Sequence, residues 1–225
     1  MRSADDRTAI ARIRDAAIEQ FGQRGFNVGL RAIADSANVS AALVIHHFGS
    51  KEGLRKACDD YVAEVIREAK SESLTTADPA AWLTQVAAIE EFAPVVAYLV
   101  CSLQSGGDLA RAWWRRMIDN AEQYLEEGVR AGTLKPSRDP RARAKYLAMS
   151  SGGSLLLYLQ MHENPSDIRA VLRDYGEDMM LPALEVMTEG LLTDSTMYDA
   201  FLRQHEQGIP FTSPGPAGSD RKEPA

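Results

Sequence analysis

Apolar residues recur at three- and four-residue steps along most of this chain, the period of helices that bury one face. The first stripe, Ile10, Ile13, Ala17 and Phe21, predicts a helix over Thr8–Gln23, ended by Gly22, Gly25 and Phe26-Asn27. Shorter patterns follow over Leu30–Ala37 and Ala41–His47. From Lys51 a longer one turns Leu54, Cys58, Tyr61, Val62, Val65 and Ile66 inward and runs to about Ser71. Thr75-Thr76-Ala77-Asp78-Pro79 interrupts it, with Asp78 as a cap and Pro79 as the first residue of the next helix. The remainder repeats the period without a credible strand. It reads as Ala80–Glu91, an almost continuously apolar Val95–Leu103 set off by Pro94, and Leu109–Arg130. A helix from Asp139-Pro140 to Met161 follows, then one from Ser166 or Asp167 to Leu192 with a kink at Pro182, then a short Ser195–Gln204. The predicted class is all-α.

Within this series, Val28–Leu54 sets two short helices on either side of a tight turn and starts a long third helix directly afterwards. Ile33 and Ala34 face inward from the first, Val44 and Phe48 from the second. Ser40 can cap the second through its hydroxyl. Asn38 stands in the turn, and asparagine is among the few residues besides glycine that tolerate positive φ. This is the layout of a helix-turn-helix, whose second helix enters the DNA major groove. An ordinary helical hairpin has the same periodicity, so the pattern alone leaves both readings open.

The run Ile33-Ala34, Ala37-Asn38-Val39-Ser40 and His47-Phe48-Gly49-Ser50-Lys51-Glu52-Gly53-Leu54 resembles, in order and spacing, the amino-terminal signature of the tetracycline-repressor (TetR) family of bacterial regulators. The resemblance implies an amino-terminal three-helix helix-turn-helix DNA-binding domain over residues 1–50. It implies a helical ligand-binding and dimerisation domain over residues 51–207, with residues 51–72 as the connector helix. It further implies that Ser40 and the residues after it, Ala41, Ala42 and Leu43, meet the groove, where methyl groups can pack on thymine. Arg31 corresponds to a base- or phosphate-contacting position, and its fork suits guanine. His46 is a second candidate for polar readout. His47 and Lys51 correspond to phosphate clamps that set register without reading sequence. Two departures thin these contacts: Val28-Gly29 stands where threonine is usual, and Ile45 where tyrosine is usual.

Charge supports such a division. The chain carries a net −7, which is unusual for a DNA binder. Residues 1–56, however, hold nine Lys or Arg against six Asp or Glu, a balance of +3 that leaves −10 for the rest. A mildly basic head on an acidic body suits contact with phosphate at one end. With 225 residues, 45% of them hydrophobic, the chain can bury a substantial core. Cys58 and Cys101 are its two cysteines, too few for a disulfide framework. MRSADDRTAI has no signal-peptide core, and Tyr146–Met161, the longest uncharged stretch, is too short and too polar to span a membrane. A soluble cytoplasmic protein is expected. The adjacent histidines point about 100° apart on a helix, which speaks against metal binding. No Ser/His/Asp spacing, metal-ligand motif or Gly-rich phosphate loop suggests an enzyme, and no cofactor is expected. The Pro-rich stretch over residues 208–225 predicts disorder.

The family resemblance implies an effector site in the body. Independently, Trp82, Phe92, Tyr98, Trp113, Trp114, Met117, Tyr124, Tyr146 and Met149 are the aromatic and methionine residues that could line a largely apolar pocket. The same residue types fill any helical core. Trp113 and Trp114 cannot both face one core, so one of them should border a cavity, a second helix or solvent. Glu90 and Glu91 could select a cationic group. The last two long helices, Ala142–Met161 and Ile168–Leu191, are expected to pair with their symmetry mates as a four-helix bundle, the small residues Ser150–Ser154 permitting close approach. The expected function is a ligand-responsive, homodimeric repressor of transcription. An all-helical carrier of small molecules or lipids, its hairpin purely structural, is the alternative.

Overall fold

A computed structural model describes residues 4–208. The tail from 209 onward and the side chain of Arg7, a further arginine near the expected DNA face, lie outside what is described. The described residues form helices α1 (Ala4–Arg24), α2 (Leu30–Ser36), α3 (Ala41–Phe48), α4 (Lys51–Thr75) and α5 (Pro79–Ala87), then a 3-10 turn (Ile89–Phe92). They continue as α6 (Ala93–Gln104), α7 (Gly107–Ala131), α8 (Pro140–Met161), α9 (Ile168–Thr188) and α10 (Thr196–Glu206). The all-α expectation holds. No single helix among them is long and apolar enough to cross a membrane.

Several ends differ from the periodicity, each for a local reason. The connector continues to Thr75, whose hydroxyl bonds back to the Ser71 carbonyl at 2.8 Å. The helix expected over Ala80–Glu91 stops at Ala87, and the chain tightens into the 3-10 turn before Pro94 restarts it in the first turn of α6. There the proline's missing N–H leaves no hydrogen bond unmade. The helix expected to reach Leu192 ends at Thr188, just before Gly190 at φ 81°. Asp78, Asp139 and Ser50 cap α5, α8 and α4 through their side chains.

The described residues fall into two compact units, divided between 180 and 181. In the first, the broadest helix contacts join α1 to α6, α4 to α7 and α7 to α8. One apolar core runs from Ile13, Phe21, Ile33 and Val44 across the 50/51 position to Leu54, Cys58 and Val62 of α4, and on to Tyr98, Leu103 and Trp113. Phe21, Phe26, Tyr98 and Trp113 meet ring to ring in sequence, at centroid separations of 5.3, 5.5 and 6.1 Å. Such aromatic pairs contribute roughly 0.5–1.5 kcal/mol each beyond their burial. A second cluster holds Ala121, Leu125, Ala144 and Ala148 where α7 meets α8. The second unit holds the end of α9 and α10. Leu191, Leu192, Met197, Tyr198 and Phe201 are exposed there.

Candidate DNA-binding face and effector region

The helix-turn-helix is built from its turn outward. Asn38 has φ 53° and is the sole non-glycine with positive φ among the described residues. Its N–H donates to the Asp35 carbonyl at 3.1 Å, and that of Val39 to the Ala34 carbonyl at 2.9 Å, so the chain reverses without losing backbone bonds. Ser40 Oγ accepts from the Leu43 N–H at 3.1 Å and caps α3, worth about 1 kcal/mol. Ile33, Ala34 and Val44 are buried, with Val39 and Phe48 packed on the same core. Ser50 Oγ accepts from the Gly53 N–H at 3.1 Å and starts α4. Gly53 is obligatory here, because a Cβ would run into the Phe48 carbonyl oxygen.

The outward side of α3 is Ala42, Ile45 and His46. Ala41 instead packs against the head core, and Leu43 is half-buried. Of the expected trio Ala41, Ala42 and Leu43, Ala42 is the exposed member, and Ile45, 44% exposed, stands beside it where a tyrosine is usual. Arg31 and Ser40 are exposed, and Arg31 has no ion pair among the described residues. Lys51, half-buried, is the first residue of α4. His47 is half-buried, with Nε2 enclosed and without a hydrogen-bond partner among the described residues, while its ring meets those of His46 and Phe48. Of the arginines ahead of the motif, Arg14 is engaged: its guanidinium lies 3.4 Å over the Tyr61 ring and bonds Asp15 at 2.9 Å.

The head is held to the body by a polar joint that the sequence reading did not find. Asp59 of α4 accepts from the Tyr98 hydroxyl at 2.6 Å and from Trp113 Nε1 at 3.2 Å. Burial pushes its carboxyl above the usual value, against the pull of the Tyr98 hydrogen bond and Arg55. One turn earlier, the Arg55 guanidinium lies 3.5 Å over the ring of Phe26, in the α1–α2 loop. Asp60 adds an outer pair with Arg116 at 2.8 Å.

This joint places two of the nine expected effector residues. Tyr98 and Trp113 are buried core, each committed to Asp59. Trp114 is the half-buried member of the tryptophan pair; its ring edge approaches α8 so closely that a Cβ on Gly152 would sit 3.1 Å from Cη2. The small-residue segment thus serves an approach within the chain at Gly152, whereas Gly153 meets nothing. Met117 lies between the two core clusters, and Tyr124 packs on the second. Trp82 donates to Ser73 Oγ at 3.1 Å, and Phe92 is half-buried. Tyr146 and Met149, by contrast, point outward from α8, 69% and 54% exposed. Glu90 is taken up by α9, its carbonyl accepting from Arg169 at 3.1 Å and its carboxylate 3.9 Å from Arg173. The nine do not surround one pocket.

Burial thins along the connector. Beyond Ala63, α4 buries no residue, and α5 buries none at all. The broadest contact of α5 is with the 3-10 turn that follows it.

A capped turn with an exposed second helix, seated on a buried core and running into a long helix, defines a helix-turn-helix DNA-binding protein. Residues 13–58 match the model of the bacterial regulatory proteins of the tetR family, and residues 90–193 match the tetracyclin repressor-like C-terminal domain. The chain belongs to the TetR family of transcriptional regulators. It is 70% identical over 208 residues to the HTH-type transcriptional regulatory protein RaaS of Mycobacterium tuberculosis (strain ATCC 25618 / H37Rv), covering 92% of this chain and 98% of that one. Over 53 residues, 24% of each chain, it is 43% identical to the HTH-type transcriptional dual regulator CecR of Shigella flexneri. Similar folds include a protein solved for the molecular basis of control of antibiotic production by bacterial hormones, at TM-score 0.55 and 23% identity, with 80% of this chain and 98% of that one covered. A TetR-family regulator from Pectobacterium atrosepticum has TM-score 0.50 and 22% identity, covering 86% and 99%. The family match and the 70% identical regulatory protein make the chain a regulator of transcription and not an enzyme.

Proposed function

We propose that this regulator is a ligand-responsive repressor that acts as a homodimer in the bacterial cytoplasm. The observation that carries the reading is α4 itself. Its first turns are fused to the helix-turn-helix core, and its later turns lie against α7 of the body, where the Ala63 carbonyl accepts from Asn120 at 2.8 Å. A small, largely apolar molecule seated there would favour one setting of the helix over another, and it acts only through that difference in affinity. Two heads would occupy half-sites about one helical turn apart. Arg31, Ala42, Ile45 and His46 would face the groove, with Lys51 and His47 at the backbone.

Pairing through the last two long helices is supported by α8, which exposes Tyr146, Met149, Leu157 and Met161. Three- and four-residue steps put these on one stripe with Gly153, an apolar face with no cover in a single chain. Footprinting on DNA upstream of its own gene, repeated across salt concentrations, tests the reading. Protection of two half-sites, weakening steeply with salt, is expected. Binding without sequence preference overturns it.

A further inference from the structure

Nine of the sixteen large apolar side chains that stand exposed among the described residues fall between 181 and 201. Leu172 is the last buried residue among them, and α10 buries none. Isolated helices shorter than about 12–15 residues are marginal in water, and α10 has 11. At 100° per residue, Met197, Tyr198 and Phe201 share one side of it, and Asp199, Arg203 and Glu206 share the other. A short helix with this pattern is held by what covers its apolar side. It also lies past residue 193, where the match to the C-terminal domain of the family ends.

Charge narrows the choice of cover. Residues 181–206 hold five Asp or Glu against one Arg, a net −4. A helix that settles on an anionic lipid surface or on nucleic acid presents Lys and Arg, so neither of these fits. The complementary surface is on α8, which carries Arg141, Arg143 and Lys145 and no acid, a net +3. Arg141 is engaged by Asp119 and Glu122 of α7, whereas Lys145 is exposed. The exposed apolar stripe of α8 begins beside it, at Tyr146 and Met149. Size points the same way. The four side chains of that stripe offer only about 500 Å², whereas each side of a stable dimer buries about 800 Å². The nine between 181 and 201 more than make up the difference.

We infer that residues 181–206 dock on the amino-terminal half of α8 of a second copy of this chain, extending the dimer interface beyond the last two long helices. The inference rests on the homodimer reading. Met197 and Tyr198 would lie on Tyr146 and Met149 of the other copy, with the acids of the segment turned toward Lys145. Two-fold symmetry makes the contact twice.

Sedimentation of the full-length protein over a range of concentrations reads the dimer dissociation constant. Met197→Glu with Tyr198→Glu should raise it at least about a hundredfold. Both positions lie in the first turn of α10, where an acid favours the helix, so helix content should hold. Lys145→Glu should raise it about three- to tenfold, and less so at high salt. The place of docking is read by oxidising an equal mixture of a Met149→Cys chain and a Met197→Cys chain. A disulfide between positions 149 and 197, identified by peptide mass, is expected in the mixture. A dissociation constant unchanged by the paired glutamates, or a 149–197 disulfide that forms only within one chain carrying both substitutions, overturns the inference. A full-length protein that is monomeric throughout refutes the homodimer reading along with it; a dimer indifferent to the changes in α10 refutes the docking alone.

Discussion

The two halves of α4 are one helix in two environments. From Leu54 to Ala63 it buries Leu54, Cys58, Val62 and Ala63, and Asp59 ties it to α6 and α7. Beyond Ala63 nothing on it is buried, although Ile66 and Lys70 continue the stripe of Asp59 and Ala63. A packed core resists displacement, because every void or overlap costs energy. The half beyond Ala63, held to α7 through Asn120 and Glu127 and by no fully buried side chain, is expected to shift at lower cost.

Matched deletions in the two halves test this most strongly. Leu54→Ala should cost about 2–5 kcal/mol of stability in urea denaturation, the usual result of emptying a sealed core site. Ile66→Ala should cost only about 1 kcal/mol, since its surroundings are partly open. Equal losses would erase the distinction. Asp59→Ala should come next, at about 1–3 kcal/mol, because it leaves the Trp113 N–H without its acceptor and the Tyr98 hydroxyl with only the Arg55 carbonyl, 3.4 Å away. Asp59→Asn, which keeps an accepting oxygen, should recover part of that loss.

Substitutions on the outer face of the head should move DNA binding and leave stability alone. Arg31→Ala is expected to lower operator affinity by about 1–3 kcal/mol and to relax preference at one base pair. Lys51→Ala should weaken binding evenly across sequences and reduce the slope of log affinity against log salt by about one. A loss at Arg31 that is the same for every DNA sequence would make it a phosphate contact and leave readout to His46 and the methyl face.

The helix-turn-helix was legible because its determinants are local: Asn38 for the turn, Ser40 and Ser50 for the caps, and a three-to-four-residue apolar step for the core. The partial burial of Ala41 and Leu43 on α3 was not. It depends on Ala41 packing against a core assembled by α1, α2 and α4, which position in a motif does not report. Tyr98 and Trp113 looked like pocket residues since apolar patterning treats pocket and core alike. What separates them is Asp59, 39 and 54 residues away in sequence.

The smallest effect belongs to the seam between α8 and α9, where Ser154 meets Tyr175, Tyr158 donates to Asp178 at 2.6 Å, and His162 pairs with Asp174 at 3.0 Å. The Asp174 hydrogen bond raises the His162 pKa, and the same bond lowers that of Asp174. A raised histidine contributes stability that is fully present below its unfolded value of about 6.5 and lost as pH climbs through the folded value. A lowered carboxylate contributes above its unfolded value of about 3.9, and the contribution fades as pH falls through the folded one. The pair therefore stabilises the seam most at about pH 5 to 6. Melting temperatures of the parent and His162→Gln should differ most in that window and converge by about pH 9, where the parent histidine is neutral. Asp174 is 38% exposed, so the difference should be small and should shrink further in high salt. A gap that stays constant with pH would mean that His162 acts by packing against the Tyr158 ring, 6.1 Å away, and that the charge on the seam is incidental.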